Sequence, residues 1–403
     1  AAFGGRGLGH VEGMAVFVDP ALPGDRVRAR VVRKKKRHAE ARMTELLAPS
    51  ADRVDPPCPY VGWCGGCKWQ ALDYQRQLVY KREHVDEALA HIAGIDGVRV
   101  HATLPSERSY HYRNKMEFSC ADRRWLLPAE MGDSTIDTGF ALGLHVPGTF
   151  HKVLDIETCL LQPGLGNDLL STVRRYMLQS GRPVYGLKSH VGFWRFLMLR
   201  HSVALDQWMV NLITSQKDRQ TVQPLADTLV EEYPQVVSVV NNITNRRAAI
   251  AVGEREILLA GAPVLRETIG DLQFNVSANS FFQTNTRGAA ALYGVVGQMV
   301  DLQGTEQVLD LYCGTGAISI YLAAQAKSVV GFEWTAAAVA DAEINCRLNG
   351  LSNCRFVAGD VLKQLPAWDQ PVDVMIIDPP RVGIHHKVVK QVIDLAPDRI
   401  VYV

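Results

Sequence analysis

The C-terminal part of the chain alternates apolar strands with helices, and this alternation is the feature that most constrains the fold. A buried strand runs into the tight turn Gly314-Thr-Gly316, a helix follows, and the next strand ends in an acid. Parallel neighbouring strands need such a crossover helix, so the pattern predicts an α/β fold with a doubly wound sheet. The predicted strands cover residues 307–313, 328–333, 354–360, 372–378 and 399–403, and the first helix covers 317–326.

The turn and the acids at the strand ends predict a nucleoside-binding crevice, because the carboxyl ends of parallel strands meet at one edge of a sheet. Glu333 stands about 20 residues after the turn, where an acid binds ribose hydroxyls. The turn lacks the third glycine that lets a helix approach a pyrophosphate, and Asp310 before it repels phosphate. S-adenosylmethionine (SAM), which has a ribose and a cationic sulfonium, therefore fits better than NAD. Asp360, at the end of the third strand, suits the adenine amino group.

The fourth strand ends in Asp378-Pro379-Pro380, and Arg381 follows. Amino-group methyltransferases that act on adenine carry an aromatic residue after the same Asp-Pro-Pro, and its ring stacks on the target base. Because Arg381 stands in that place, the sequence points away from an exocyclic amine as the methyl acceptor.

Three cysteines lie close together: five residues separate Cys58 from Cys64, and two separate Cys64 from Cys67. Three thiolates leave a four-ligand site incomplete. Cys159, near a Pro-Gly turn, is the candidate for the fourth ligand, whereas Cys120 lies in a strand-like run and is better explained as a sheet residue. An all-thiolate set with one distant member favours a [4Fe–4S] cluster, since zinc sites usually show two short ligand pairs. Zinc and unligated thiols stay open as alternatives at this point.

Residues 1–50 carry ten Lys and Arg against five Asp and Glu, although the whole chain has a net charge of +1. Short β-rich runs separated by Gly turns predict a small β-barrel in this region. A basic cluster from Arg33 to His38 follows an alternating strand that begins at Arg26. Such a cluster attracts a phosphate backbone through counterion release, whereas a solvated hairpin tip is the simpler explanation.

Composition limits the class of protein. Hydrophobic residues make up 47% and charged residues 21%, which excludes a disordered or fibrous chain. No apolar run reaches the ~18 residues of a membrane span, and nothing in the sequence argues for secretion. Eight cysteines are too few for a disulfide scaffold, and their clustering indicates a reducing compartment, so we expect a cytoplasmic protein.

Together these elements resemble the RNA uracil-5-methyltransferase family, and most closely its 23S rRNA (uracil-5-)-methyltransferases with two cofactors. The resemblance rests on the cysteine pattern, the segment Asn279-Ser-Phe-Phe-Gln-Thr-Asn285, the glycine turn and Asp378-Pro-Pro-Arg381. It implies a TRAM- or OB-like RNA-binding β-barrel over 1–50 and a central α/β domain with an iron–sulfur site over 51–275. It also implies an incomplete doubly wound SAM-dependent methyltransferase domain over 276–403.

The resemblance further implies the roles of individual residues. Gln283 contacts SAM and is where family members approach the flipped-out uracil. In a simpler interpretation, Phe281 and Phe282 are core residues at a helix start and Gln283 is a polar residue at its N-terminus. The implied cluster ligands are Cys58, Cys64, Cys67 and Cys159, and the implied SAM contacts are Gln283, Tyr312, Glu333, Asp360 and Asp378.

Methyl transfer to uracil C5 needs a nucleophilic catalyst, because C5 alone reacts poorly with a sulfonium methyl group. A thiolate that adds to C6 makes an enolate whose C5 attacks the methyl group, and a base then removes the C5 proton. The target base must leave its stack, which favours single-stranded RNA loops. In the family the nucleophilic Cys follows the strand equivalent to 399–403 in a Ser-Cys-Asn-Pro segment, and a Glu base comes later. Both are expected beyond Val403, since Cys313, Cys346 and Cys354 do not stand at that strand end.

The chain is therefore interpreted as a C-terminally truncated enzyme without its catalytic residues. We expect the 403-residue chain to bind SAM weakly, to transfer no methyl group, and to associate with other copies through the apolar edge Ile400–Val403. The expected partner is RNA, with 23S rRNA first and tRNA as the alternative, and with neither a membrane nor an obligate protein partner. A non-catalytic RNA-binding iron–sulfur protein is the alternative from a different class.

Overall fold

The computed structural model describes residues 2–248 and 250–403. The chain divides into two compact units, which we call the first and second unit. No helix in the described ranges has the length and apolarity to cross a membrane. The three-part division with boundaries after residues 50 and 275 stays a prediction. The first unit takes in residues up to 109, 119–160 and 184–191, and the second takes in 110–118, 161–183 and 192–403.

The first unit opens with four strands, β1 (Gly7–Val11), β2 (Met14–Asp19), β3 (Arg26–Lys34) and β4 (His38–Ala48). They form a sheet in the order β1-β2-β4-β3, in which β2 and β4 run parallel and the other neighbours run antiparallel. Val18, Ala21 and Ala41 form its small buried core. The short strands predicted from the sequence are present, and their closure into a barrel stays a prediction.

The remainder of the first unit contains α1 (Tyr74–Ala88), the end of β5 (Lys115–Ala121), β6 (Ala141–His145) and β7 (Val153–Asp155). Helix α1 begins where the Asp73 side chain accepts a hydrogen bond from the backbone of Arg76 (3.1 Å). Strand β6 pairs antiparallel with Ser119–Ala121 of β5 and with β7. A cluster of four buried side chains holds these segments together: Ala121, Ala141, Val153 and Leu187.

The second unit begins with α2 (Gly164–Gln179), β8 (Trp194–Ser202), β9 (Gln207–Thr214), α3 (Arg219–Glu232), β10 (Val236–Ile243), β11 (Arg255–Gly261), β12 (Val264–Ile269) and β13 (Leu272–Ser277). Strands β8 and β9 pair antiparallel, β9 and β10 parallel, and β10 and β11 antiparallel. Every residue of β8 is buried, including Arg195 and Arg200. Strands β12 and β13 form a separate hairpin.

The C-terminal part of the second unit is a five-stranded parallel sheet in the order β16-β15-β14-β17-β18, which confirms the predicted doubly wound sheet. Val308 and Ile376 pack into one core cluster, while Leu309 and Ile377 pack into another. Both faces of the sheet are therefore buried, which explains its nearly continuous apolar strands. The elements are α4 (Thr286–Val300), β14 (Gln307–Leu311), α5 (Ala317–Ala323), β15 (Ser328–Glu333), α6 (Ala336–Leu348), β16 (Cys354–Ala358), α7 (Val361–Gln364), β17 (Val374–Ile377), α8 (His386–Leu395) and β18 (Arg399–Tyr402).

Candidate functional site

A cavity of about 750 Å³ lies in the second unit at the carboxyl ends of the parallel strands. Its walls come from the ends of β14, β15 and β17 and from the segment that precedes α4. This is the edge at which doubly wound sheets bind their ligands. The cavity brings together the five predicted SAM contacts, Gln283, Tyr312, Glu333, Asp360 and Asp378.

The turn between β14 and α5 forms the floor of this cavity, and its backbone requires glycine. Gly316 has φ = +75°, and a Cβ at this position would lie 2.8 Å from the Phe356 ring and 3.0 Å from the Ala342 Cβ. Gly314 has φ = +55° with no atom within 4 Å of a Cβ, so only its backbone conformation favours glycine. Tyr312 also adopts a positive φ of 66°, and burial raises the pKa of its hydroxyl.

The carboxylate of Glu333 is fixed by two backbone amides. The N–H of Gly314 donates to Oε2 (3.2 Å), and the N–H of Thr335 donates to Oε1 (2.8 Å). These bonds join the glycine turn to the end of β15 and hold the carboxylate at the cavity wall. A carboxylate oxygen has two lone pairs, so each oxygen can still accept a bond from a ligand hydroxyl.

Asp310 is buried beneath the turn and is only partly satisfied. The Ser319 hydroxyl donates to its Oδ2 (2.6 Å), while its Oδ1 has no hydrogen-bond partner in the described structure. Burial, followed by the charges of Asp378 and Glu333, raises the pKa of Asp310 to about 7, although the Ser319 bond lowers it. A buried acid of this kind is stabilised in its ionised form by a cation in the cavity.

The charged side chains in the described lining of the cavity are all acidic. Burial also raises the pKa of Asp378 and of Asp341. None of the described residues that line the cavity is Lys, Arg or His. This donor set fits a ligand with hydroxyls and a positive charge, such as SAM, and disfavours a pyrophosphate. The acids in the lining are Asp310, Glu333, Asp341, Asp360 and Asp378.

Gln283 lies in the segment before α4. Phe282 is buried and packs 5.7 Å from Phe274, but Phe281 is 62% exposed and lines the cavity. The interpretation of both phenylalanines as core residues at a helix start is therefore wrong for Phe281, because α4 begins later, at Thr286, and the cavity keeps its ring accessible. The N-terminal cap of α4 is Asn285 and not Gln283.

Buried polar side chains that the sequence did not reveal hold this segment in place. Asn114 donates from Nδ2 to the Gln283 carbonyl (2.8 Å) and to the Thr286 hydroxyl (2.8 Å). Arg200 donates to the backbone carbonyls of Ala278 (3.2 Å) and Ser280. Both side chains are almost fully buried, at 6% and 3% exposure, so they act as fixed anchors for the cavity wall.

Three thiols lie in the C-terminal sheet region. Cys313 lines the cavity, but burial and the charge of Asp310 raise the pKa of its thiol well above the usual range. Cys346 is buried in α6, and Cys354 begins β16. None of these three sits at the end of β18, and a thiol with a raised pKa makes a poor nucleophile.

The four cysteines of the predicted cluster lie near one another in the first unit. The Tyr60 hydroxyl accepts from the backbone of Glu157 (3.1 Å), which brings the Cys159 loop to the Cys58–Cys67 segment. Burial, followed by the charges of Cys159, Cys67 and Cys58, raises the pKa of Cys64 to about 11.

The structure nevertheless does not confirm a metal site at Cys58, Cys64, Cys67 and Cys159. Among the described residues, no group of three His, Cys, Asp or Glu side chains is arranged to hold a metal ion. Thiolates are donors of the type that binds iron or zinc, so the site stays a prediction, and we derive no chemistry from it.

The basic cluster Arg33–His38 spans the end of β3, the connecting turn and the first residue of β4. The N–H of Lys35 donates to the carbonyl of His38 (2.8 Å) and closes the turn. The cluster is therefore a hairpin tip, as the simpler interpretation proposes, and its phosphate binding stays a prediction.

Comparison with known proteins places this geometry in a family. A family model described as "Methyltransferase domain" matches residues 302–399, which contain strands β14 to β17 of the parallel sheet and its glycine turn. An uncharacterized RNA methyltransferase of Chlorobaculum tepidum is 43% identical over 97% of this chain and 83% of its own length. The chain belongs to the RNA methyltransferase family. A second such protein, from Porphyromonas gingivalis, is 36% identical over 99% of this chain and 88% of its own length.

A solved structure supports the assignment along almost the whole chain. The tRNA (uracil-54, C5)-methyltransferase of Pyrococcus abyssi, in complex with S-adenosyl-L-homocysteine (SAH), superposes with a TM-score of 0.73 and 25% identity. The match covers 98% of this chain and 87% of the other. This RNA methyltransferase therefore has a SAM-dependent methyltransferase fold, and the individual roles of its five predicted SAM contacts stay predictions.

Proposed function

We propose that this RNA methyltransferase transfers the methyl group of SAM to C5 of a uridine in RNA, with 23S rRNA as the first expected substrate. The observation that carries the proposal is the cavity at the carboxyl ends of the strands, whose described lining contains five acids and no Lys, Arg or His. An acidic cavity stabilises a cationic sulfonium. The overall likeness to a uracil C5 enzyme supports the choice of acceptor atom.

The side chains of the cavity have distinct proposed tasks. Glu333, held by two backbone amides, accepts from the ribose hydroxyls, and Asp360 accepts from the adenine amino group. Asp378 and Tyr312 complete the SAM contacts, and Gln283 stands where the uracil approaches. SAM supplies an electrophilic methyl group when it is bound. The acids keep the positive charge of the donor in place, and the fixed wall at Gln283 orients the base.

The chemistry at C5 assigns the nucleophile to a thiolate that adds to C6. Cys313 does not fit this task, since burial keeps its thiol protonated. We therefore propose that the nucleophile belongs to the Ser-Cys-Asn-Pro segment of the family, which is not part of these 403 residues.

A direct test is methyl transfer from isotope-labelled SAM by the full-length gene product, with nucleoside mass spectrometry of the digested RNA. We expect label in 5-methyluridine and none in N-methylated nucleosides. Label in an N-methylated base, or 5-methyluridine formed by the 403-residue chain itself, would contradict the proposal. The latter result would place the nucleophile among the described thiols.

The second candidate substrate is tRNA, because the superposed solved structure is that of a tRNA (uracil-54, C5)-methyltransferase. Separate reactions with purified rRNA and purified tRNA, each from a strain that lacks the gene, distinguish the two. Methylation confined to tRNA would remove rRNA from the proposal and leave the C5 chemistry intact.

We also propose that the protein is cytoplasmic, as the number and clustering of its cysteines predict.

We also propose that Cys58, Cys64, Cys67 and Cys159 bind a [4Fe–4S] cluster of structural importance. Their support is proximity, since the charges of the other three thiols act on Cys64. Iron and acid-labile sulfide are to be measured after anaerobic purification. We expect Cys58→Ala to lose both, and Cys354→Ala, in the second unit, to keep both. Zinc in place of iron, or metal-free protein in every sample, would contradict the cluster.

A further inference from the structure

A second cavity, of about 830 Å³, lies entirely within the first unit, and we call it the basic cleft. Three backbone segments line it, residues 122–126, 151–152 and 187–189, with Met131, Thr138 and Gly139. Its volume falls within the range of about 300–1,000 Å³ that is typical of ligand pockets. The cavity at the carboxyl ends of the parallel strands, which we call the SAM cavity, belongs to the second unit, so the basic cleft is a separate feature.

The backbone around the basic cleft is preformed. Ala121, Val153 and Leu187 belong to one buried cluster, and each is the chain neighbour of a lining residue. The N–H of Trp125 donates to the carbonyl of Val153 (2.8 Å), which ties two of the lining segments together. Ordering of the lining is therefore part of folding and does not have to accompany binding.

The charge of the basic cleft is positive. Lys152, Lys188 and Arg123 line it together with His151, and Asp122 is the acid in the described lining. Burial, followed by the charges of Lys188 and Lys152, lowers the pKa of His151, which places both ammonium groups near its ring. The Nδ1 atom of His151 is buried and has no hydrogen-bond partner in the described structure.

One cation of the lining is already compensated. Arg124 pairs with Glu130 and lies 3.8 Å from Asp155, so its charge is largely neutralised within the first unit. Lys152 and Lys188, in contrast, form no ion pair among the described residues. Because both ammonium groups line one cavity, both attract an anion that enters it.

An aromatic and apolar wall accompanies these cations. The ammonium of Lys152 lies 3.8 Å from the centre of the Trp125 ring, which fixes the lysine over the indole. Leu126 and Met131 extend the apolar surface. Cations beside an aromatic side chain are the combination that holds a nucleic-acid strand, through phosphate contacts and base contacts together.

We propose that the basic cleft binds the sugar–phosphate backbone of the substrate RNA, with a phosphate between Lys152 and Lys188 and a base against the Trp125 wall. The inference rests on the RNA substrate of the proposed function. It gives the enzyme an RNA contact that is independent of the hairpin tip at residues 33–38 and of the base that enters the SAM cavity.

The test measures binding of a fluorescently labelled, single-stranded oligouridylate at several salt concentrations. The variant is Lys152→Ala/Lys188→Ala, and the matched control is Lys81→Ala/Lys217→Ala, which removes two exposed lysines outside the cleft. For single strands the slope of log K against log salt changes by about 0.7 for each phosphate contact. We expect the cleft variant to lose about 0.7 of this slope, for the one phosphate that the two lysines share, and at least about tenfold in affinity at low salt, and the control to lose clearly less.

Two further measurements make the result decisive. SAH binding, by calorimetry, is expected to be unchanged in the cleft variant, which shows that the second unit is intact. Crosslinks from 4-thiouridine RNA to the wild-type chain are expected in the peptides that contain residues 122–126 or 151–152. Equal salt slopes for variant and control, or crosslinks confined to other peptides, would overturn the proposal that the basic cleft binds RNA. RNA binding by the rest of the protein would not be affected. A wild-type chain that binds no RNA would overturn the proposed function as well.

Discussion

Replacing Glu333 by Gln tests the proposed ribose contact with the smallest change of shape. Each carboxylate oxygen accepts one backbone N–H, from Gly314 and from Thr335. In Glu333→Gln one oxygen becomes an NH₂ group, which cannot accept a hydrogen bond and faces a backbone donor. The variant therefore loses an anchor of the turn, the negative charge, and an acceptor for one ribose hydroxyl.

The loss can be estimated from these contacts. A hydrogen bond to a charged group contributes about 1.5–3 kcal/mol, and about 1.4 kcal/mol corresponds to a tenfold change in Kd. Loss of one such bond to the ribose predicts SAH binding that is about 10- to 100-fold weaker. SAM should lose at least as much, because its sulfonium also loses the attraction of the charge.

Isothermal titration with SAH measures the change, and urea unfolding checks that the fold is retained. The matched control is Glu343→Gln, which removes an exposed carboxylate from α6, away from the cavity. We expect the control to bind SAH like the wild type. If Glu333→Gln binds SAH within about threefold of the control while it remains folded, the ribose assignment is refuted, since threefold is only about 0.65 kcal/mol.

Three other predictions follow from the same region. Gly316→Ala should destabilise the fold by about 2–4 kcal/mol in urea unfolding, because it combines a positive φ with a Cβ 2.8 Å from Phe356, whereas Gly314→Ala should cost only about 1 kcal/mol; equal losses would contradict the steric argument. Because the folded-state pKa of Asp310 is raised to about 7, its contribution is fully present below its unfolded pKa and is lost as pH rises through 7. Urea unfolding at a series of pH values should thus show wild-type stability falling, relative to Asp310→Asn, by roughly 1.4 kcal/mol per pH unit between pH 5 and 7, and parallel pH profiles would exclude this titration. Strand β18 is an edge strand on which Ile400 is 50% exposed, so Ile400→Lys should reduce self-association of the 403-residue chain in light scattering; a monomeric wild type would contradict the association.

Much of the C-terminal sheet could be predicted from the sequence because its signals are local. Five apolar runs, a glycine turn and acids at the ends of three of the strands are enough to fix strand type and the edge where the acids meet. The structure brings Glu333, Asp360 and Asp378 to one cavity as this logic requires. The glycine positions follow from the same logic, since a positive φ at Gly316 is needed to start α5 beneath the cavity.

The anchors of the cavity wall could not be predicted in this way. Asn114 and Gln283 are 169 residues apart, and neither local sequence predicts the hydrogen bond between them. Arg200 lies in β8, where its apolar neighbours predict burial and an arginine without an ion pair is unexpected. Its side chain donates to the backbone carbonyl of Ala278, and no sequence pattern predicts such a bond. The exposure of Phe281 was missed because an apolar residue type says nothing about a cavity beside it.

The dependence of the cavity wall on Asn114 and Arg200 sets a lower limit on the part of this enzyme that can work alone. A fragment cut at residue 276 keeps the whole parallel sheet, yet it discards the donors to Ala278, Ser280 and Gln283 and frees three carbonyls of the segment that forms the cavity wall. A minimal piece that keeps this cavity wall therefore has to include Asn114 and Arg200, which lie in two separate stretches of the second unit, and transplanting the sheet into another scaffold requires carrying both side chains with it.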